Sequence, residues 1–327
     1  MPPSLVLSKL RPVTLPTLPT AAALARFSFA AQHPVSLGWC SESQRLSNLA
    51  DEHAFDLQLA TDLELAANRA QWMNISQPPE AFLNRWLSVR PDLDAMLSIR
   101  FEGGNPDKPF VDVSATSRPV LPADLPVLSA SAQQTYGVFN PQRLRFWSSA
   151  EAGAFVGTQP DMRVLAAPVR DLQPRPTPPE LSLRPTLDTS QLAAAREAYA
   201  DVDRLHPAHP GQARIFSEED LQETVDAGTM FDVLRNGEWV GYVGVLPKPK
   251  HGLNAYSLQE LILASACRGR GYGAALTTLL AQALPQGDRV LLGTIHADNR
   301  GARQAALQAG RVDIGGWSWL PLLHALA

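Results

Sequence analysis

The sequence predicts an α/β protein built as two tandem units, and three observations lead to this prediction. Residues 10–14 (LRPVT) recur as residues 183–186 (LRPT), and an alanine-rich helical stretch follows each copy. Strand-like and helix-like patterns then alternate in both halves of the chain. Between the halves, residues 173–180 contain four prolines in eight residues, which favours a stiff, extended connection. We therefore predict a first domain at 1–172, a linker at 173–180 and a second domain at 181–327.

The second unit is the easier one to divide into elements. Asn236 and Gly237 stand between two strand-like runs and tolerate positive φ, which predicts a tight hairpin. Ser217 is a typical residue to begin a helix. In order, we predict a helix at 191–205, a helix from 217, strands at 230–235, 238–246 and 256–264, a helix at 274–284, a strand at 290–295, a helix from 299, and closing strands within 312–323.

The first unit shows a similar alternation of predicted strands and helices. Its predicted elements are a helix at 21–31, strands at 96–101 and 110–116, a helix at 123–134, and strands at 143–148 and 162–169.

Residues 268–273 (RGRGYG) join a predicted strand to a predicted helix, and this junction is the most informative feature of the chain. Three glycines allow positive φ and let consecutive N–H groups turn toward one anion. The positive end of the following helix points at the same place. Arg268 and Arg270 add charge. The junction therefore predicts a phosphate cradle, and neither a Walker P-loop nor the dinucleotide fingerprint fits its spacing.

Arg268, Gly271 and Gly273 resemble the acetyl-CoA signature of the GNAT acetyltransferases, Arg/Gln-x-x-Gly-x-Gly/Ala. Leu261 and Leu263 stand at that family's alternating apolar positions, and Asn299 with the alanine three residues later resembles its Asn-x-x-Ala element. The resemblance implies a mixed α+β sheet, two tandem GNAT-like acyl-CoA N-acyltransferase domains, and a layout similar to that of the mycothiol synthases.

The resemblance also implies how acetyl-CoA, the only cofactor expected, is held as a co-substrate. The pyrophosphate is expected on the N–H groups of the loop, and the pantetheine arm along the strand. The implied cofactor-binding residues are Leu261, Ile262, Leu263, Arg268, Gly269, Arg270, Gly271, Tyr272, Gly273, Ala274 and Asn299.

Direct transfer from a thioester to an amine needs a base for the amine and an acid for the thiolate. Glu260, on the central strand, is the candidate base, and a solvated or salt-bridged carboxylate is the alternative reading of it. His296, after the next strand, is a candidate proton relay or a structural hydrogen-bonding group. The family's usual tyrosine acid is absent, because its position holds Ala306, and Arg311 stands where an aromatic residue often follows Gly310.

In place of the glycine loop, the first unit has residues 117–122 (SRPVLP), whose prolines remove N–H donors. We expect a degenerate GNAT-like copy there, with an unrelated α/β domain as the alternative.

Composition sets further limits. The net charge is −4 with no long basic run, so neither nucleic acid nor a membrane is an expected partner. Two cysteines indicate a reducing compartment, and we expect the cytoplasm, a monomer or homodimer, and no metal. The expected function is N-acetyltransfer to a primary amine of a small molecule or peptide. The alternative is an inactive acyl-CoA-binding or interaction protein with the same fold.

Overall fold

The structure is a computed structural model that describes residues 16–205 and 217–322. The first copy of the repeat, residues 10–14, lies outside the described residues. The helices are α1 (Ala21–Ala30), α2 (Pro34–Leu37), α3 (Glu42–Thr61), α4 (Leu63–Met73), α5 (Leu125–Tyr136), α6 (Val169–Leu172), α7 (Leu192–Leu205), α8 (Glu218–Asp226), α9 (Tyr272–Ala283) and α10 (Arg300–Gln308). The strands are β1 (Arg85–Arg90), β2 (Leu93–Phe101), β3 (Pro109–Thr116), β4 (Arg143–Ser148), β5 (Gln159–Pro168), β6 (Leu181–Pro185), β7 (Met230–Arg235), β8 (Glu238–Leu246), β9 (Ala255–Leu263), β10 (Val290–His296) and β11 (Val312–Pro321).

These strands form one continuous mixed sheet, in the order β1-β2-β3-β4-β11-β5-β10-β9-β8-β7-β6. The predicted α/β class with a mixed sheet and two tandem halves is confirmed. Parallel neighbours occur twice in the described sheet, at β3 with β4 and at β9 with β10, once in each half. Both parallel pairs are joined through a helix, α5 in the first half and α9 in the second, as parallel connections require.

At the centre of the sheet, each half contributes one strand that pairs with a strand of the other half. β5 comes from the first half but pairs with β10 over seven residues and lies between β10 and β11. β11, from the second half, lies between β4 and β5. The prediction that residues 312–323 supply more than one closing strand is therefore wrong for the described residues of this range: residues 312–322 contain a single strand, and β5 supplies the other. β5 suits this central place because residues 164–167 are buried on both faces.

Local sequence signals account for several boundaries. The hairpin between β7 and β8 has Asn236 at φ 51° and Gly237 at φ 86°, as predicted for a turn with two left-handed residues. Ser217 begins α8 by accepting a hydrogen bond from the Asp220 N–H at 3.1 Å. The sequence did not predict α3, α4 or β1, although Ser41 caps α3 in the same way through the Gln44 N–H.

Apolar side chains fill both faces of the sheet. The core of the first half contains Phe82, Leu97 and Phe146, each fully buried. The core of the second half packs α9, through Leu276 and Leu280, against β8 and β9. Residues 173–180 run between α6 and β6 on the surface of the second half, and the boundaries placed there remain a prediction. Among the described residues, no helix is long and apolar enough to span a membrane.

Candidate functional site

The cleft between β9 and β10 is the central feature of the second half. These parallel strands pair only through three residues, and the pairing ends at Ser257 and Leu292. Beyond this point the strands diverge, and a cleft of about 660 Å³ opens between them. Its walls include residues of β9, β10, α9 and α10, and also Tyr199 of α7 and Glu52 of α3. A cleft of this size accommodates a small-molecule ligand.

A β-bulge in β9 decides which side chains face which side of the sheet. Glu260 pairs with Gly244 and Leu258 pairs with Val245, so Gln259 is an extra residue in β9. Leu258 and Leu261 accordingly pack toward α9. Glu260 points to the opposite face, where α7 lies. We call the face covered by α9 and α10 the donor face, and the face covered by α7 the acceptor face.

The glycine loop follows β9 and leads into α9. Gly269 has φ +71° and Gly271, the residue before the helix, has φ +79°. A Cβ at either glycine would meet no atom within 4 Å, so the loop needs these glycines for their backbone conformation and leaves open space beside them. The first N–H groups of α9 have no acceptor within the helix. The loop and helix start thus present backbone donors to an open space, which fits an anion such as a pyrophosphate.

The side chain of Arg268 makes contacts within the protein, whereas the sequence predicts that it adds charge to the phosphate cradle. Its backbone N–H donates to the Ser265 carbonyl at 3.1 Å, and its guanidinium donates to the carbonyls of Leu263 (2.8 Å) and Ala198 (2.5 Å). Burial lowers the pKa of this guanidinium. Arg268 therefore ties the end of β9 to α7, and its side chain is turned away from the open side of the loop. The side chain of Arg270 is exposed.

Glu260 is fully buried, and a phenol separates it from the cleft. The Tyr199 hydroxyl donates to Glu260 Oε2 at 2.5 Å. Burial, then the charge of Glu260 and this hydrogen bond, raise the pKa of Tyr199 well above its usual value, so the phenol keeps its proton. Tyr199 lines the cleft. A proton from a ligand in the cleft reaches Glu260 most directly through the Tyr199 hydroxyl.

His296 and Asn299 stand at the open end of β10. His296 Nδ1 accepts a hydrogen bond from the Asp298 N–H at 3.2 Å, which leaves Nε2 to carry the proton of the neutral ring. Asn299 Oδ1 accepts from the Ala302 N–H at 3.1 Å and caps α10. Both residues line the cleft. Ala306, where the family's tyrosine would be, is fully buried against Leu165 and Ile295.

The structure brings many of the expected residues to one cleft. Leu261, Gly273, His296 and Asn299 line it directly. The loop from Gly269 to Ala274 lies at the start of α9, while the side chains of Ile262, Leu263 and Tyr272 pack into the core and leave their backbone as the part able to contact a ligand.

Sequence reasoning did not identify Tyr199, although its place on the buried side of α7, next to Ala195 and Ala198, was a usable signal. It also missed two groups on the acceptor face. Lys250 Nζ donates to Thr294 Oγ1 at 3.3 Å, and burial lowers the pKa of Lys250. Glu52, from the first half, accepts from the Gly252 N–H at 2.8 Å, and burial raises its pKa.

In the first half, the segment between β3 and α5 corresponds to the glycine loop, and it contains an ion pair between Arg118 and Asp124. Ser114 is a bulge residue in β3, as Gln259 is in β9, and aligning the two bulges puts Ala115 where Glu260 stands. At the start of α5, the buried Asp124 carboxylate accepts from the Leu121 N–H at 2.8 Å and from the Arg118 guanidinium at 2.7 Å. An internal anion thus takes the place of a phosphate, which fits a degenerate copy.

Comparison with known families gives a match on the second half of the chain. Residues 194–310 match the acetyltransferase (GNAT) family. The matched region begins within α7 and contains β7 to β10, the glycine loop and the Asn299 cap. A search of curated proteins gives no match.

The solved structures to which this chain is similar include several described as GCN5-related or GNAT proteins. A GCN5-related N-acetyltransferase from Sphaerobacter thermophilus is 15% identical, with a TM-score of 0.44, over 72% of this chain and 78% of that one. One from Kribbella flavida is 14% identical, with a TM-score of 0.41, over 82% and 98%. A tandem GNAT protein from the clavulanic acid biosynthesis pathway is 14% identical, with a TM-score of 0.41, over 81% and 97%.

Proposed function

Because the chain carries a GNAT acetyltransferase domain at residues 194–310, we propose that it transfers an acyl group, acetyl being the simplest, from a CoA thioester to a primary amine. The amine belongs to a small molecule or a peptide, and the reaction takes place in the cytoplasm. One observation supports catalysis above all: a buried carboxylate, Glu260, is hydrogen bonded to Tyr199, a residue of the cleft wall.

The donor is expected to lie across the donor face. The N–H groups from Gly269 to Gly273 hold its pyrophosphate, and Asn299 stands at the mouth of the cleft. The backbone of β9 beyond Ser257 is not paired with β10, so the pantetheine arm can bind along it like an added strand. Backbone N–H groups of this strand can then polarise the thioester carbonyl.

The acceptor amine enters from the acceptor face and attacks the thioester carbonyl carbon. As the C–N bond forms, the amine proton passes to the Tyr199 hydroxyl, whose own proton moves to Glu260. The C–S bond then breaks and releases the CoA thiolate. The thiolate takes a proton from solvent, and Glu260 releases the proton it received to solvent. His296 Nε2–H can donate a hydrogen bond to the thiolate while keeping its proton. This sequence needs no tyrosine at position 306.

The test is turnover. Free-thiol release is measured with acyl-CoA donors and a panel of amino sugars, amino acids and short peptides. Glu260→Gln is expected to lower kcat by about 10²–10⁴-fold, the usual cost of losing a general base, while calorimetry shows unchanged donor binding. Tyr199→Phe is expected to lower kcat to a similar extent. Glu238→Gln, at an exposed carboxylate on β8, is the matched control.

Two results would contradict the proposal. Donor binding without turnover on any amine would favour the binding-protein alternative. A normal pH profile and rate for Glu260→Gln would move the base elsewhere, and loss of the fold on circular dichroism would make Glu260 a structural group.

A further inference from the structure

Arg311 is a buried guanidinium that has no counter-ion among the residues described by the structure. The residue is 3% exposed, and neither Nε nor Nη1 has a hydrogen-bond acceptor in the part of the chain that the structure describes. The same part of the chain provides no carboxylate that pairs with it. Arg163, buried to a similar degree, pairs with Asp313 at 2.8 Å, so the fold can supply a partner where one is needed. Arg311 lines the cleft between β9 and β10.

The guanidinium lies at the closed end of this cleft. A Cβ at Gly293 would stand 2.7 Å from Arg311 Nη1 and 3.5 Å from the Leu258 side chain. Gly293 and Leu258 come directly after Leu292 and Ser257, the last pair of β10 and β9. A side chain at 293 would displace the guanidinium from this place, and the glycine leaves room for it.

Arg311 remains charged in spite of its burial. Burial lowers its pKa to about 10, which still leaves it protonated at neutral pH. A buried charge without a partner is strongly destabilising unless an anion binds it. A ligand anion is the group that would compensate this cation.

Among the anions present before the transfer step, position excludes the phosphates of the donor and a carboxylate of the acceptor. The pyrophosphate is too far away, because the six residues from Leu258 to Leu263 span about 16 Å of strand before the glycine loop begins. A carboxylate of the acceptor would enter from the other face, where Tyr199 and Glu260 lie. The remaining anion is one carried by the acyl group itself, which must point into the closed end of the cleft on the donor face.

We propose that the natural donor is the CoA thioester of a dicarboxylic acid, and that Arg311 binds the distal carboxylate of its acyl chain. The inference rests on the proposed acyltransferase function and names its donor. A planar guanidinium suits this role because it can donate two parallel hydrogen bonds to a carboxylate. An acetyl group would leave the cation uncompensated.

Calorimetry of the full chain with malonyl-, succinyl-, glutaryl- and acetyl-CoA tests the proposal. At least one dicarboxylic thioester is expected to bind about 10–100-fold more tightly than acetyl-CoA, as a buried charge-assisted bidentate contact predicts. Arg311→Met is expected to abolish that preference, so that the dicarboxylic thioester binds no more tightly than acetyl-CoA does to the same variant. Arg300→Gln, at an exposed arginine of α10, is the matched control and is expected to keep the preference.

Thermal unfolding gives a second readout that needs no ligand. Arg311→Met removes an uncompensated buried charge, so its Tm is expected to equal or exceed that of the parent. Equal affinity of the parent for all four thioesters, or a preference that survives in Arg311→Met, would overturn this inference and leave the acyltransferase function standing. Failure of every thioester and of CoA itself to bind would overturn both.

Discussion

At the scale of single residues, the backbone of the glycine loop matters more than its side chains. Gly271 has φ +79° and open space where a Cβ would point, so a substitution there changes the surface that a ligand meets before it disturbs packing. Arg268, by contrast, is engaged with carbonyls of β9 and α7. The sequence motif thus identifies the glycine loop as the segment expected to bind phosphate. The structure shows that Arg268 anchors this loop, while the backbone around Gly271 can face a phosphate.

Gly271→Asp is expected to weaken CoA thioester binding by about 100-fold or more, because it places a negative charge beside the phosphate cradle. Gly271→Asn is the matched control. Asparagine has the same shape and also tolerates positive φ, so it is expected to lose much less affinity. Calorimetry of both variants isolates the charge. If Asp and Asn weaken binding equally, steric blocking explains the loss, and if both bind like the parent, the cradle assignment is wrong.

At the scale of elements, the connection between β8 and β9 joins the two halves. Its Gly252 N–H donates to Glu52, and the Asn48 side chain donates to the Gly252 carbonyl at 3.1 Å. His251 stacks on Trp147 with ring centroids 4.7 Å apart. Burial, together with the neighbouring cations Lys250 and Arg45, lowers the pKa of His251 to about 3.

This lowered pKa of His251 predicts that the free energy of unfolding decreases at acid pH. Unfolded, His251 has the ordinary value near 6.5, so between pH 6.5 and 3 the unfolded chain binds a proton that the folded chain does not. The stability that neutral His251 contributes is present above pH 6.5 and is lost as the pH falls below it. His251→Asn suits the φ of +52° at this position and removes the titration. The Tm of the parent is expected to fall more steeply than that of His251→Asn between pH 6.5 and 4; parallel curves would contradict this.

At the scale of the whole molecule, the exchange of β5 and β11 makes the two halves interdependent. β5 pairs with the whole length of β10, from Pro168 opposite Val290 to Met162 opposite His296. β11 pairs with β4 as well as with β5. Separating the halves therefore breaks several ladders of backbone hydrogen bonds and exposes apolar strands. The first half also supplies Glu52 to the cleft of the second.

A protease site inserted after Pro176, in the exposed proline-rich segment, tests this interdependence. After cleavage, the two fragments are expected to elute together by size exclusion under native conditions and to separate only in denaturant, because the exchanged strands hold them. Donor affinity is expected to stay within about twofold of the uncut chain. The same insertion without a cleavage step is the control. Fragments that separate in native buffer would show that the exchanged strands do not hold the halves together.

The sequence alone determined the local features of this protein. Asn236 and Gly237 fixed a hairpin, alternating patterns located β7 to β10, and the glycine spacing located the loop, because each depends on neighbours along the chain. The tertiary structure alone decided what depends on residues distant in sequence. Tyr199 meets Glu260 across 61 positions, β5 enters the sheet of the other half, and Arg311 reaches Gly293 at the closed end of the cleft. Periodicity shows which face of an element is buried, but not which other element covers that face.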